Sequence, residues 1–600
     1  MKIQLSSLHT KLKHSFGYDT FRPFQEEIIA AILGKRDVLA ILPTGSGKSL
    51  CYQLPILETP GKMAIVISPL IALMQDQVQV LTSMGISAAF INSQLSYYEL
   101  KNIQKNLQNY ALIYVAPERL CKEEFLDLIK PLNIAYFVID EAHCISQWGH
   151  AFRPEYRQLA ILKHHFPQVP IATFTATATP LVQQDIIDQL HLQTPYKAIG
   201  SFDRSNLTIR IDQRDNGKDQ LKRFLESHRN QSGIIYTTTR KSVDKLYEEL
   251  KKNGYPITKY HAGLTDSERQ KAQGTFLNDT TPIMVATVAF GMGVHKPDVR
   301  FVVHMDLPKS FEGYYQEIGR AGRDGLPSDC LMLYSTRDYI LQKSMYADIP
   351  DDITKHSMLR RLEQFFSFCA ASECRRKQIL HYFSEPYLHD NCQNCDNCLD
   401  DIITEDITII AQKILSCVYR MQQRFGIQRV VDVLAGSQTQ EIIQNRFDKL
   451  STYGLLSDLP RLDIRHYIFS LINQNFLAMT EGQYPILQLT VNARSVLKKT
   501  TPVFVRKRVI KVHKERKKSE KSHSNTVNRN MLAKLKEVRK QLASKAGLPP
   551  YMIFHDKHLV HMAELQPKNE AEFYQVQGVG EQKHKLYSKA FLECIASCLS

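Results

Sequence analysis

The stretch Leu42-Pro43-Thr44-Gly45-Ser46-Gly47-Lys48-Ser49 limits what this chain can fold into more than any other. An apolar run, Asp37-Val38-Leu39-Ala40-Ile41, precedes it and reads as a buried parallel strand. A helical pattern over Ser49–Leu57 follows it. A strand feeding a glycine-rich turn and then a helix is the setting of a phosphate cradle. Gly45 and Gly47 let the backbone N–H groups of Thr44, Ser46 and their neighbours aim at a polyphosphate. Lys48 is placed to reach the outer phosphates, and the Ser49 hydroxyl to hold Mg²⁺. The general pattern carries a glycine where this chain has Leu42, so a chance glycine turn is the competing reading of the motif alone.

A second apolar strand, Ala135-Tyr136-Phe137-Val138-Ile139, runs into Asp140-Glu141-Ala142-His143. An acid at the carboxyl end of such a strand lies where ligands bind in open α/β sheets. Asp140 is placed to hold Mg²⁺ and Glu141 to orient or deprotonate an attacking water. Together with the glycine turn, this pair points to nucleotide hydrolysis rather than to two solvated carboxylates.

At 600 residues the chain has room for several domains. Its net charge of +15 favours a polyanionic partner, most simply nucleic acid. No apolar run approaches the ~20 residues that span a bilayer, and Met1–Thr10 lacks the apolar core of a signal peptide. The 12 scattered cysteines suit a reducing cytoplasm rather than a disulfide scaffold.

Short β-rich segments at Met63–Ser68, Ala111–Val115, Ala135–Ile139 and Ile171–Phe174 alternate with helical patterns such as Leu70–Met84. The alternation resumes at Gly233–Tyr236, Ile283–Ala286 and Val299–Val303, now without a phosphate loop. Two parallel-sheet lobes follow from this pattern. The second carries Arg320 and Arg323, whose spacing puts both on one face if the segment is helical. Facing the first lobe's phosphates, they would stabilise charge in the transition state; a solvated basic turn is the plain alternative.

With these motifs in place, the chain resembles the RecQ family of superfamily 2 DNA helicases along essentially its whole length. Phe16-Gly17-Tyr18 and Phe21-Arg22-Pro23-Phe24-Gln25 resemble the family's adenine motif, which implies that Gln25 reads the base edge while Tyr18 and Arg22 flank the ring. Ser68–Gln77 and Val115–Arg119 resemble its strand-tracking motifs, Asp140–His143 its acidic box, and Thr175–Thr179 its coupling motif. Tyr260–Leu264, Val285–Val294 and Tyr315–Gly325 resemble the motifs of the second lobe. Tyr236-Thr237-Thr238-Thr239-Arg240 departs from the family, which more often has a cysteine and a small polar residue after the tyrosine. Ser146–Tyr156 is the most family-specific stretch and implies that Trp148, Phe152 and Arg153 sense DNA; Trp148 as core filler is the alternative from spacing alone.

Beyond Tyr334 helical patterns dominate. Cys374, Cys392, Cys395 and Cys398 suit a closed tetrahedral Zn²⁺ site of structural type. An iron–sulfur cluster also uses such a run, but Leu399-Asp400-Asp401-Ile402 stands where its next cysteine and proline belong. The segment from Ile407 resembles the family's winged helix, with Gln488-Leu489-Thr490 returning from a hairpin tip at Tyr484-Pro485. Tyr484 there is either a wedge against the first base pair or an ordinary turn tyrosine. The run Arg506–Lys521 reads as an exposed basic linker. In the tail, Leu548–Tyr551 and Val576–Gly580 resemble the helical HRDC module. Its Gly578–Gly580 turn either donates N–H groups to phosphate or merely caps a helix.

The expected fold is multidomain α/β: two RecA-like parallel-sheet lobes (1–205 and 206–345), a helical zinc module (346–402), a winged helix (403–505), a basic linker (506–526) and an all-helical HRDC domain (527–600). The resemblance implies an ATP- and Mg²⁺-dependent helicase with structural Zn²⁺ that moves 3′→5′ on single-stranded DNA and opens duplexes in recombination, repair and replication restart. It also implies a cytoplasmic, nucleoid-associated protein, with single-strand-binding and other repair proteins as partners. An RNA-dependent ATPase and a DNA-annealing scaffold with a vestigial motor are the competing classes.

Overall fold

The computed structural model describes residues 5–92, 95–146, 152–291, 296–346, 349–400, 404–480, 486–506 and 529–599. Trp148, Tyr484 and nearly all of the basic linker lie outside the described residues.

The first lobe is a parallel sheet of seven strands. In chain order they are β1 (Val38–Ile41), β2 (Met63–Ile67), β3 (Ala88–Ile91), β4 (Leu112–Val115), β5 (Ile134–Ile139), β6 (Ile171–Thr175) and β7 (Tyr196–Ile199). Across the sheet they run β3-β4-β2-β5-β6-β1-β7. The central strands are apolar on both faces because helices cover both, and every residue of β1, β2, β4 and β6 is buried. The carboxyl ends of β1 and β5 therefore open at the same edge, separated by β6.

The second lobe repeats the plan with six strands: β8 (Leu207–Gln213), β9 (Gly233–Tyr236), β10 (Ile257–Tyr260), β11 (Ile283–Ala286), β12 (Phe301–His304) and β13 (Ser328–Tyr334). Their spatial order is β10-β11-β9-β12-β13-β8, all parallel. Gly233 has no room for a side chain, since a Cβ there would sit 2.1 Å from the Phe301 ring.

The edge strand β8 carries the cysteine module. Ile209 N–H donates to Asn394 O (3.2 Å), Thr208 Oγ1 to Asn394 Oδ1 (3.0 Å) and Arg376 Nη2 to Leu207 O (3.0 Å). Fully buried Arg375 meets Asp396 through two parallel bonds of 3.1 and 3.2 Å, within the module.

Helices Thr408–Arg420, Ile427–Leu434 and Arg461–Asn473, with the antiparallel pair β15–β16 (Leu477–Met479 and Leu487–Leu489), form the winged-helix region. A short antiparallel pair, β14 (Thr404–Asp406) with β17 (Phe504–Arg506), brings the two ends of that region together. The last unit, from helix Arg529–Ala546 to helix Glu581–Leu599, has its own apolar core around Leu535, Phe554, Phe573 and Phe591. Among the described residues no helix is long and apolar enough to cross a membrane.

Candidate functional site

The glycine turn leaves β1 and enters helix Lys48–Gln53, shorter than the sequence pattern implied because Pro55 starts a separate 3₁₀ turn, Pro55–Glu58. Gly45 (φ +88°) and Gly47 (φ +84°) are both left-handed, which is what the turn requires of them. Gln25 Nε2 donates to Ser46 O (3.2 Å) and Gly47 O (3.1 Å), and its Oε1 accepts from the Arg22 N–H (2.9 Å). The Arg22 guanidinium donates to Gly45 O. The adenine-motif residues are thus folded against the phosphate turn. Tyr18 lies beside them, with the Lys557 ammonium 5.4 Å from its ring centre.

Asp140 and Glu141 stand at the end of β5. Glu141 holds φ +50°, a left-handed conformation that costs a non-glycine residue on the order of 1–3 kcal/mol and that the surrounding fold must enforce. Burial first, then the Glu141 charge, pushes Asp140 up to about 7, with Lys48 pulling the other way. Two acids in conflict beside a lysine are a donor set that a divalent cation would relieve. Glu141 Oε2 and Ser46 Oγ are buried without a hydrogen-bond partner, two polar atoms that fit bound water, Mg²⁺ and phosphate. His143 shares a 2.8 Å hydrogen bond with Thr175 Oγ1 and lies 3.4 Å from Glu141, so the acidic box and the coupling motif are joined directly. Tyr156, which sequence reasoning did not single out for the acidic site, donates its hydroxyl to Asp140 O (2.9 Å).

The arginines of the second lobe face this site, but not from a helix. Helix Phe311–Ile318 ends before them, and Gly322 (φ +57°) turns the chain, so the shared helical face expected from their spacing is corrected to a loop. A Cβ on Gly45 would come 3.3 Å from the Arg323 Cα and carbonyl, which sets the arginine loop directly on the phosphate turn. Arg320 donates to Gly291 O. Burial, with Arg320 and Arg204 beside it, lowers Arg323 to about 9. Three guanidinium groups in one place, Arg320 buried and Arg204 and Arg323 half-buried, fit a polyanion.

Arg204 is the residue that sequence reasoning missed. It donates to Thr44 O (2.7 Å) on the phosphate turn and to Ala321 O (3.0 Å) and Gly322 O (2.9 Å) on the arginine loop. One side chain thereby ties together the two loops that must grip the same ligand. No motif marks it; it is a half-buried arginine just before β8.

Of the aromatic loop, Phe152 and Arg153 are described. Arg153 donates its N–H to Cys144 O (2.9 Å) and its guanidinium to Pro69 O (3.4 Å), joining the loop to the Ser68–Gln77 motif. The Arg157 cation stands 5.3 Å from the Phe152 ring centre.

The Sγ atoms of Cys374, Cys392, Cys395 and Cys398 lie within 4.8 Å of one another. Four thiolates this close, two of them buried, fit tetrahedral Zn²⁺ with no open position. The Gly578–Gly580 turn does not present its first N–H to solvent or phosphate: Gly578 N–H donates to Gly17 O (3.0 Å) in the first lobe.

A phosphate turn and acidic pair in one parallel-sheet lobe, met by arginines from a second, define a two-lobed NTP-driven motor of the helicase type. The family models agree along the chain: DEAD/DEAH box helicase over 22–186, helicase conserved C-terminal domain over 217–325, RecQ zinc-binding over 336–399, RQC domain over 401–514 and HRDC domain over 528–595. The ATP-dependent DNA helicase RecQ of Bacillus subtilis is 41% identical over 97% of this chain and 97% of its own length. That of Haemophilus influenzae is 40% identical over 97% and 95%. A putative ATP-dependent RNA helicase of Acanthamoeba polyphaga mimivirus is 38% identical over 81% of this chain and 91% of its own. The chain belongs to the RecQ family of ATP-dependent DNA helicases.

Proposed function

We propose that this ATP-dependent DNA helicase hydrolyses ATP between Lys48, Ser49, Asp140 and Glu141 on one lobe and Arg320 and Arg323 on the other, and that the resulting closure and opening move it 3′→5′ along single-stranded DNA. Lys48 and the turn Thr44–Gly47 would hold the phosphates, with Gln25, Tyr18 and Arg22 on the adenine side. Ser49 and Asp140 would hold Mg²⁺, and Glu141 would take the proton of the attacking water. The bond between His143 and Thr175 supports a route from the acids to the strand-tracking face, where Phe152, Arg153 and Trp148 would report DNA. Cys374, Cys392, Cys395 and Cys398 would hold structural Zn²⁺.

The observation that carries this reading is the arginine loop seated on the phosphate turn, bridged by Arg204. We keep the division of the chain at 205/206, 345/346, 402/403 and 505/506, with the HRDC domain from 527. Tyr484 as a base-pair wedge, action in recombination, repair and replication restart, single-strand-binding protein as a partner, and a nucleoid location all belong to the same proposal.

The test is phosphate release by the full chain with and without single-stranded DNA, repeated with RNA. DNA should stimulate turnover strongly and RNA should not, and Lys48→Ala should abolish it. Equal stimulation by RNA would favour the RNA-dependent alternative, which the name of the viral relative keeps in play. No stimulation by either would leave a DNA-binding scaffold.

A further inference from the structure

Residues 200–206 run from β7 to β8 and carry the chain from one lobe to the other. Much of this connector is held by the cysteine module rather than by either sheet. Ser201 donates its hydroxyl to Glu385 Oε1 (2.6 Å), and the Phe202 N–H donates to Glu385 Oε2 (2.6 Å). One carboxylate thus accepts from two consecutive residues. The Phe202 ring lies flat on Phe383, with centres 4.3 Å apart and planes 8° from parallel. The Arg376 guanidinium pairs with Asp203. Asn394 Nδ2 donates to Ser205 O (2.9 Å) and Leu207 O (3.1 Å).

Arg204 leaves the connector on the opposite side from Asp203. It reaches the phosphate turn and the arginine loop, and Asn206 Nδ2 joins it there by donating to Gly322 O (3.0 Å) and Leu326 O (3.0 Å). Holding Ser201, Phe202 and Asp203 therefore fixes the backbone from which Arg204 reaches the two loops.

The groups that hold the connector are themselves set by the metal-binding residues. Helix Arg375–Tyr382 carries Arg376 in its first turn and has Cys374 as its N-cap, and Asn394 directly precedes Cys395. Just past that helix Ser384 is left-handed (φ +62°), and the Glu385 N–H donates to Leu380 O (2.9 Å). This turn fixes the backbone of Glu385 against the end of the helix, so its carboxylate is not a mobile surface acid.

We propose that Glu385 is a positioning residue for ATP hydrolysis: through Ser201 and Phe202 it holds the connector where Arg204 can join the phosphate turn to the arginine loop. The cysteine module then serves the motor as well as its own fold. This rests on the reading that Arg204 bridges the two loops around the nucleotide. Misplacing a positioning group by about 1 Å can cost about a hundredfold in rate, so a connector that drifts slows the reaction without emptying the site.

The test is DNA-stimulated phosphate release by full-chain variants, with Zn²⁺ content, binding of a fluorescent ATP analogue and hydrogen exchange measured in parallel. In Glu385→Ala, Zn²⁺ should stay at one per chain and the analogue should bind within about threefold of wild type, while kcat falls about tenfold and exchange rises at residues 201–206. Glu385→Gln can still accept from the Phe202 N–H and should recover most of the rate. In an Arg204→Ala chain, adding Glu385→Ala should cost less than about twofold, because its effect runs through a side chain already gone. Unchanged kcat in Glu385→Ala would overturn the proposal. So would an equal loss with and without Arg204, the mark of a contact that supports only the fold. If Glu385→Ala sheds Zn²⁺, Ser201→Ala decides, since it removes one of the two donors and leaves the module intact. Its kcat should fall about threefold with Zn²⁺ retained, and a wild-type rate would overturn the assignment. A wild-type chain that hydrolyses no ATP even with DNA would instead contradict the motor reading itself.

Discussion

Replacing Arg204 by alanine tests how the two lobes share one ligand. The side chain makes three good bonds to backbone carbonyls: 2.7 Å to Thr44 O on one lobe, and 3.0 and 2.9 Å to Ala321 O and Gly322 O on the other. Hydrogen bonds from a charged donor contribute about 1.5–3 kcal/mol each, but the bridge is only as strong as its weaker end. That weaker end is the single bond to Thr44. Its loss should raise the barrier to hydrolysis by about 2–3 kcal/mol, or roughly 30- to 160-fold in kcat. Arg204→Lys keeps the charge but not the fork, so it should restore only part of the rate. The assay is DNA-stimulated phosphate release alongside equilibrium binding of a fluorescent ATP analogue. Binding should weaken far less than turnover falls, because Lys48 and the phosphate turn remain. An Arg204→Ala rate within about threefold of wild type would refute the bridge.

Other outcomes follow from the same geometry. Stripping Zn²⁺ with a chelator, or Cys395→Ser, should unfold the cysteine module, because metal binding in such sites is worth about 10–16 kcal/mol of folding free energy. Loss of one Zn²⁺ per chain with new proteolysis around residues 374–398 is the readout; a module that stays protected without metal would contradict the assignment. Since Asp140 is raised to about 7, protons compete with the cation below that value. Half-saturating Mg²⁺ for ATP turnover should therefore rise about fivefold from pH 7 to pH 6, and a flat dependence would count against Asp140 as a ligand. Tyr156→Phe frees the Asp140 carbonyl and should slow turnover by about tenfold or less, with the fold retained; a normal rate would show that the hydroxyl positions nothing.

Much of this architecture is legible in the sequence. The phosphate turn and acidic box announce themselves because each follows a strand buried on both faces, where the sequence must be apolar throughout. The edge strands were harder to see. Strand β7, Tyr196-Lys197-Ala198-Ile199, buries only Ala198 fully, and β8 alternates between buried and half-buried because it lies at an edge and carries the cysteine module on it. The arginine pair misled by its spacing: Arg320 and Arg323 suit one helical face, but Gly319 and Gly322 end the helix and turn the chain. Arg204 was invisible because its partners are backbone carbonyls, which leave no trace in side-chain patterns. The spacing of the Gly578–Gly580 turn suits both a phosphate donor and a cap, and its contact with Gly17 arises only when the far ends of the chain meet.

The central claim is that one lobe's lysine and the other lobe's arginines act on one triphosphate. Single-turnover hydrolysis by Arg323→Ala, with ATP binding measured in parallel, tests it most directly. The account predicts ATP bound within about threefold of the wild-type affinity and hydrolysis slowed at least about a thousandfold even with saturating DNA. Hydrolysis at the wild-type rate would mean that Arg323, though packed against the phosphate turn, takes no part in the reaction.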